Sequence, residues 1–158
     1  MNKKKSWVNT LFAYAEGEKK RLVLSVVLSV VSVMLGLAPF YCMYRLICMF
    51  TAGTATAAAV VGWCMAALAA YALKILTFTL STGTSHSMAY AILEGLRLRL
   101  ADRFLHAPLG DVENHTIGEI KSMMVDKIEN LEPPLAHMIP EGAGHLVLPI
   151  VSIIALAV

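Results

Sequence analysis

Charge is scarce in this chain: Asp, Glu, Lys and Arg make up 15% of its 158 residues, against roughly 25% in an average soluble domain. None falls in residues 22–40, and none lies between Arg45 and Lys74. So sparse a set cannot cover a protein of this size with a charged, water-facing surface, which excludes a soluble enzyme. No G-x-x-x-x-G-K-[ST] run occurs, so this chain cannot cradle ATP by a phosphate loop. Cys42, Cys48 and Cys64 are odd in number and form no C-x-x-C pair, and they read as small apolar side chains, not as a disulfide or metal set. His86, His106, His115, His137 and His145 show no i, i+3 or i, i+4 pairing with one another and no His-Glu-x-x-His or Glu-x-x-His arrangement. They read as ordinary polar helix positions, so the sequence offers no catalytic, cofactor-binding or metal residues.

What fills the chain is apolar: 58% of residues are hydrophobic and the mean hydropathy is +0.67. These residues fall in long blocks, which decides for membrane spans over one amphipathic core. Residues 22–40 are uncharged, and the block continues to Phe50 with Arg45 as the one interruption. Residues 55–73 are again uncharged and, after Lys74, so is the chain as far as Leu93. A third block, 142–158, is apolar apart from His145, at the short edge of the roughly 20 residues that cross a bilayer. Lys3, Lys4 and Lys5 ahead of an apolar block could belong to a secretory signal. That block exceeds the usual signal core and no A-x-A site follows, so an uncleaved first span fits better.

Lys19, Lys20 and Arg21 precede the first span, and Arg97, Arg99, Arg103, Lys121 and Lys127 follow the second. The positive-inside rule then places the N-terminus in the cytosol and the short loop 51–56 outside, as expected of a multi-pass protein of the cell (inner) membrane. On that topology Asn114-His115-Thr116, a formal glycosylation acceptor, is a chance match.

From Ala57 to His106 no proline occurs. One helix of that length would be roughly 75 Å long against a hydrocarbon core of about 30 Å, so more than half of it must leave the membrane. Its far part is amphipathic, with Leu93, Leu96, Leu100 and Phe104 on one side and Arg97, Arg99, Asp102 and Arg103 on the other. Pro108 and Gly110 break it. A second stripe then begins, Ile117, Ile120, Met124, Ile128, Leu131 and Leu135, with Glu119, Lys121, Asp126, Lys127 and Glu129 opposite. Pro133 and Pro134 are expected to kink or restart this returning helix before the third span.

The fold class that follows is an all-α membrane protein whose long transmembrane helices extend into the cytosol, with a short coupling helix between spans two and three. Its parts are a cytosolic segment 1–21, spans at 22–47 and 57–92, a cytosolic extension 93–107, an elbow 108–117, a cytosolic helix 117–140, and an incomplete third span 142–158.

The run LHAPLGDVENHTIGEIKSMMVDKIENLE, residues 105–132, resembles the first intracellular loop of ABC exporters, with Pro108, Leu109, Gly118, Glu119 and Asp126 at the matching positions. Downstream, LEPPLAHMIPE, residues 131–141, is similar to a stretch of a bacterial subgroup that includes siderophore-linked and multidrug-like exporters. Val112 stands where the family usually carries an aromatic residue, and Ile117 separates Thr116 from Gly118. The resemblance implies that Leu109, Gly110, Asp111, Val112, Glu113, Asn114, His115 and Thr116 form a coupling helix that contacts a nucleotide-binding domain. It further implies that ATP and Mg belong to that separate domain, and that half-transporters pair as homo- or heterodimers in membrane lipid, with no nucleic acid involved. The chain would then be the N-terminal part of a permease region, unable to transport alone. The competing reading is a small membrane scaffold or adaptor with a cytosolic helical hairpin and no transport activity.

Arg45 and Lys74 are the charges nearest membrane depth. Arg45, near the outer end of its span, is expected to anchor by snorkelling. Lys74 lies deeper, where it either lines a cavity or reaches for a partner in further spans. Pro39 is expected to kink the first span, with Gly36 easing the bend.

Overall fold

The computed structural model of the chain describes residues 15–108, 110, 112 and 114–157, all without β-strand. A 3-10 turn, Ala15–Glu18, leads into α1, Lys19–Thr51. Its 33 residues make a rod of about 50 Å, longer than the hydrocarbon core of a bilayer. Thr51 closes it by donating its hydroxyl to the carbonyls of Ile47 and Cys48, at 3.1 and 3.0 Å. Gly53 then takes φ +66°, a left-handed conformation that a residue without Cβ adopts without strain, and the chain reverses within five residues.

Helix α2, Ala57–His106, starts at an N-cap: Thr56 Oγ1 accepts the Ala59 amide at 3.3 Å. It runs unbroken for 50 residues and stops at Ala107, which is extended (ψ 147°) as the residue before a proline should be. The chain returns through α3, Ile117–Met124, and a single turn, α4, Asp126–Glu129. A π-helical turn, Pro134–Met138, then leads into α5, Ile139–Ala157. Three stretches, Lys19–Thr51, Ala57–His106 and Ile117–Ile154, are long and apolar enough to cross a membrane, and the protein is an all-α membrane protein.

The returning leg differs from the single helix expected over 117–140. It breaks at Val125 (φ −104°, ψ −73°), yet the Val125 amide still bonds the Lys121 carbonyl and the Glu129 amide the Val125 carbonyl, both at 2.9 Å. The path is bent there, not severed. Pro133 and Pro134 have no amide hydrogen to continue the α ladder, and the wider π turn begins at Pro134. Ile117, expected within the packed stripe, is 89% exposed. Packing begins further along, where Met88, Ala89, Ile92 and Leu93 of α2 meet Ile128, Leu135 and Ala136, flanked by Leu22, Leu96, Leu100, Leu131 and Ile139.

At span level the arrangement inverts that of a soluble protein. The residues α1 buries are Ser25, Ser29, Ser32 and Cys42, whereas Val23, Leu24, Val27, Met34 and Phe40 point outward. Small side chains let backbones approach, and an apolar medium accepts the large ones. Ser81 donates to the Ser25 carbonyl at 2.7 Å and Ser32 to the Lys74 carbonyl at 3.1 Å, fastening α1 to α2 at two levels. Helix α5 approaches α1 at Gly144, where an added Cβ would lie 2.9 Å from Ser29 Oγ and 3.0 Å from Val33 Cγ2.

Substituting Gly144 should therefore force α5 off α1. Gly144→Leu is expected to cost about 1–3 kcal/mol by overpacking, read as a lowered Tm of the detergent-solubilised chain. Gly62→Leu, where an added Cβ meets nothing within 4 Å, should leave Tm unchanged; equal Tm values for the two variants would contradict this packing.

Candidate functional site

The elbow between α2 and α3 is built by two opposed terminations. Pro108 ends α2, and a capping box starts α3: Thr116 Oγ1 accepts the Glu119 amide at 3.2 Å while Glu119 Oε2 accepts the Thr116 amide at 2.8 Å. The Thr116 amide and hydroxyl together hold the Glu119 carboxyl below its ordinary value. Between them Gly110 and Val112 are helical, with the Val112 amide bonded to the Pro108 carbonyl at 3.3 Å. Gly110, Asn114, His115 and Thr116 are exposed. Val112 is half-buried and shares a small cleft of about 210 Å3 with Leu100, Phe104 and Ala107. Leu109, Asp111 and Glu113, the other positions expected in the coupling helix, lie outside the described residues.

The elbow stands well away from the spans. Ser81 is level with Ser25 near the start of α1, and 25 residues of α2 separate it from His106, roughly 37 Å at the rise of an α-helix. Arg97 braces this projection. On the polar face expected of it, its Nε donates to the Met124 carbonyl at 3.4 Å and its guanidinium to Glu129 Oε2 at 3.3 Å, linking α2 to the returning leg across the Val125 bend.

A second place of interest lies at span depth. A cleft of about 540 Å3 opens between α1, α2 and α5, walled by Val33, Leu37, Phe40, Ile75, Phe78 and Leu148. Its polar lining is Ser29, Ser32, Lys74, Glu141 and His145. Arg45, by contrast, sits over the Trp63 ring at 5.5 Å, and Tyr41 meets the same ring edge-on at 6.1 Å. This is a cation on an aromatic belt, of the kind found at membrane interfaces.

Sequence reasoning missed one constellation. His86 of α2 meets His137 edge-to-face at 4.8 Å between ring centroids; His86 Nδ1 lies 3.2 Å from Glu132 Oε1 and His137 Nδ1 2.8 Å from Glu141 Oε1. The i, i+4 spacing of His137 and Glu141 was a readable signal. The pairing with His86, 51 positions earlier, was not, because only the return of the chain creates it. Among the described residues no cluster of three or more His, Cys, Asp or Glu is arranged to hold a metal, and the three cysteines are free.

A family model described as the ABC transporter transmembrane region matches residues 22–158. No curated protein matches the chain.

The depressed Glu119 carboxyl carries a pH consequence. A carboxyl held low when folded contributes stability that is fully present above its unfolded value and is lost as pH falls through the folded one. Amide exchange over residues 117–120, corrected for intrinsic rates, should therefore quicken as pH falls below the ordinary carboxylate range. Glu119→Gln, which can still accept the Thr116 amide, should remove that pH dependence; an unchanged profile would show that the charge is not what secures the cap.

Proposed function

Because the chain belongs to the family of ABC transporter transmembrane regions and is the permease part of such a transporter, we propose that it serves an ATP-driven exporter. In this reading residues 109–116 are the coupling helix that seats against the nucleotide-binding domain. The observation that carries the proposal is the shape of the projection: one uninterrupted helix, Ala57–His106, leaves the span region, turns at the elbow and is braced on its return by Arg97. A helix this long, with an exposed and capped turn at its tip, is suited to receive a push and deliver it to the spans.

The domain division is proposed with it: a cytosolic segment 1–21, then a partial transmembrane domain over 22–158. Lys19, Lys20 and Arg21 at the start of α1, with Arg97, Arg99, Arg103, Lys121 and Lys127 around the projection, support a cytosolic N-terminus and elbow in the cell membrane. The outward-facing valines, leucines and phenylalanines of α1 and α2 support contact with lipid. ATP and Mg would sit on the nucleotide-binding domain: the residues present here do not fit them, since no phosphate loop occurs. Pairing as a homo- or heterodimer of half-transporters is part of the same proposal.

The stretch 131–141 supports the bacterial multidrug and siderophore-linked subgroup, and the structure gives that stretch a physical content. Leu135 and Ala136 enter the core, Ile139 flanks it, Pro140 is fully buried, and His137 pairs with Glu141.

Asn114 is the place to test coupling, being exposed where Val112 is half-buried. Asn114→Cys is expected to crosslink to a single cysteine in the docking groove of a co-expressed nucleotide-binding domain, with a yield that changes on adding nucleotide. No crosslink from inserted, folded protein would overturn the coupling role and favour a membrane scaffold.

A further inference from the structure

Lys74 lies at a depth where, among the described residues, it has no ion-pair partner. Its carbonyl is bonded by Ser32 and its stem lies against Gly36, so it is level with the middle of α1, far from either end of that helix. At that depth an ammonium is costly unless the cleft supplies it with water or a counter-charge. Among the described residues no carboxylate lies within ion-pair distance of it, and its one recorded side-chain contact of this kind is the Tyr71 ring, 5.4 Å from Nζ. Glu141 lines the same cleft, but it is bonded to His137 at 2.8 Å. It is also distant: Gly144 faces Ser29, which puts Glu141 about ten residues, roughly 15 Å, below the Gly36 level.

The lysine stem crosses α1 at Gly36, where a Cβ would lie in ordinary contact, 3.4 Å from Lys74 Cε and 3.7 Å from Nζ. The cleft that Lys74 lines has apolar walls, Val33, Leu37, Phe40 and Phe78, and carries Ser29, Ser32, Glu141 and His145 as its other polar lining. A volume of about 540 Å3 is in the range of small-molecule sites. At the Lys74 end, one cation between mainly hydrocarbon walls is complementary to an anionic group on an apolar tail, with Glu141 and His145 paired or set toward the other end of the cleft.

We propose that this cleft binds an amphiphile by its anionic headgroup, a carboxylate or phosphate, with the Lys74 ammonium as counter-ion. The inference rests on the permease reading and adds to it a class of ligand.

The test places the full chain in nanodiscs of zwitterionic phosphatidylcholine and labels it with a diazirine fatty acid and with the matched diazirine fatty alcohol, each normalised to its partition into the lipid. The acid is expected to label the cleft walls, Phe40 and Phe78 among them, about tenfold more than the alcohol, equivalent to about 1.4 kcal/mol. Lys74→Met should abolish that preference and Lys74→Arg should keep it; retention by arginine separates a charge effect from misfolding of the methionine variant. Equal labelling by acid and alcohol, or a preference that survives Lys74→Met, overturns the proposal. Full displacement of the acid by inorganic phosphate would overturn the amphiphile in favour of a free anion. The readout involves neither nucleotide nor transport, so a failed Asn114→Cys crosslink with intact acid labelling would count against coupling alone, and the converse against this site alone.

Discussion

Everything above the elbow depends on how closely α1 lets its neighbours approach. In an apolar medium there is no hydrophobic force to press helices together, so contact must come from van der Waals packing and from hydrogen bonds that reach across. Ser25, Ser29, Ser32 and Gly36 give α1 a face of small residues, and each meets something specific: the Ser81 hydroxyl, Gly144, the Lys74 carbonyl and the Lys74 stem. A larger side chain at any of them would widen the gap, and at position 32 it would also remove the hydroxyl that donates to the Lys74 carbonyl. The small residues therefore serve as spacers, and Ser32, with Ser81 on α2, as fasteners.

Below that level the logic reverses. Leu22, Met88, Ile92, Leu93, Ile128 and Leu135 make a conventional apolar core where the start of α1, the middle of α2 and the returning leg converge. Under the proposed cytosolic placement of the projection, removal of this apolar surface from water is what stabilises it. The chain thus uses two kinds of cohesion along one helix, α2, and the change falls between Ser81 and Met88. The His86, Glu132, His137 and Glu141 group sits at this boundary, where polar side chains can be half-buried and still solvated.

The membrane class, the loop at 51–56 and the unbroken length of α2 were legible because they rest on local quantities: uncharged runs, the spacing of prolines, and a cap residue ahead of an apolar block. The elbow was legible for the same reason, since Pro108 and the Thr116 and Glu119 pair act within a few residues. The serine face of α1 was also written in the sequence, at the i, i+4, i+7, i+11 spacing of Ser25, Ser29, Ser32 and Gly36, but attention to apolar stripes passes over it. The partners of Arg97 and the pairing of the two histidines were not legible at all. These contacts span 27 to 51 residues, and which faces meet is set by the bends at Val125 and Pro134.

Those bends divide the labour between the two legs of the projection. Helix α2 has no break between Ala57 and His106, so along its axis it is a stiff strut. The returning leg changes direction at Val125, continues for a single α turn, and then loosens into a π turn at Pro134. Under the proposed coupling role, displacement at the elbow would reach the spans through α2, while the returning leg could absorb a change of length. Arg97 joins the two just where the compliant leg bends, bonding the carbonyl of Met124 and the carboxylate of Glu129 on either side of Val125. The axis of α2 then passes the core and reaches Ser81, the first point at which α1 is fastened to it. Lys74 lies two turns further on, so movement delivered along α2 arrives at the cleft through the lysine that lines it.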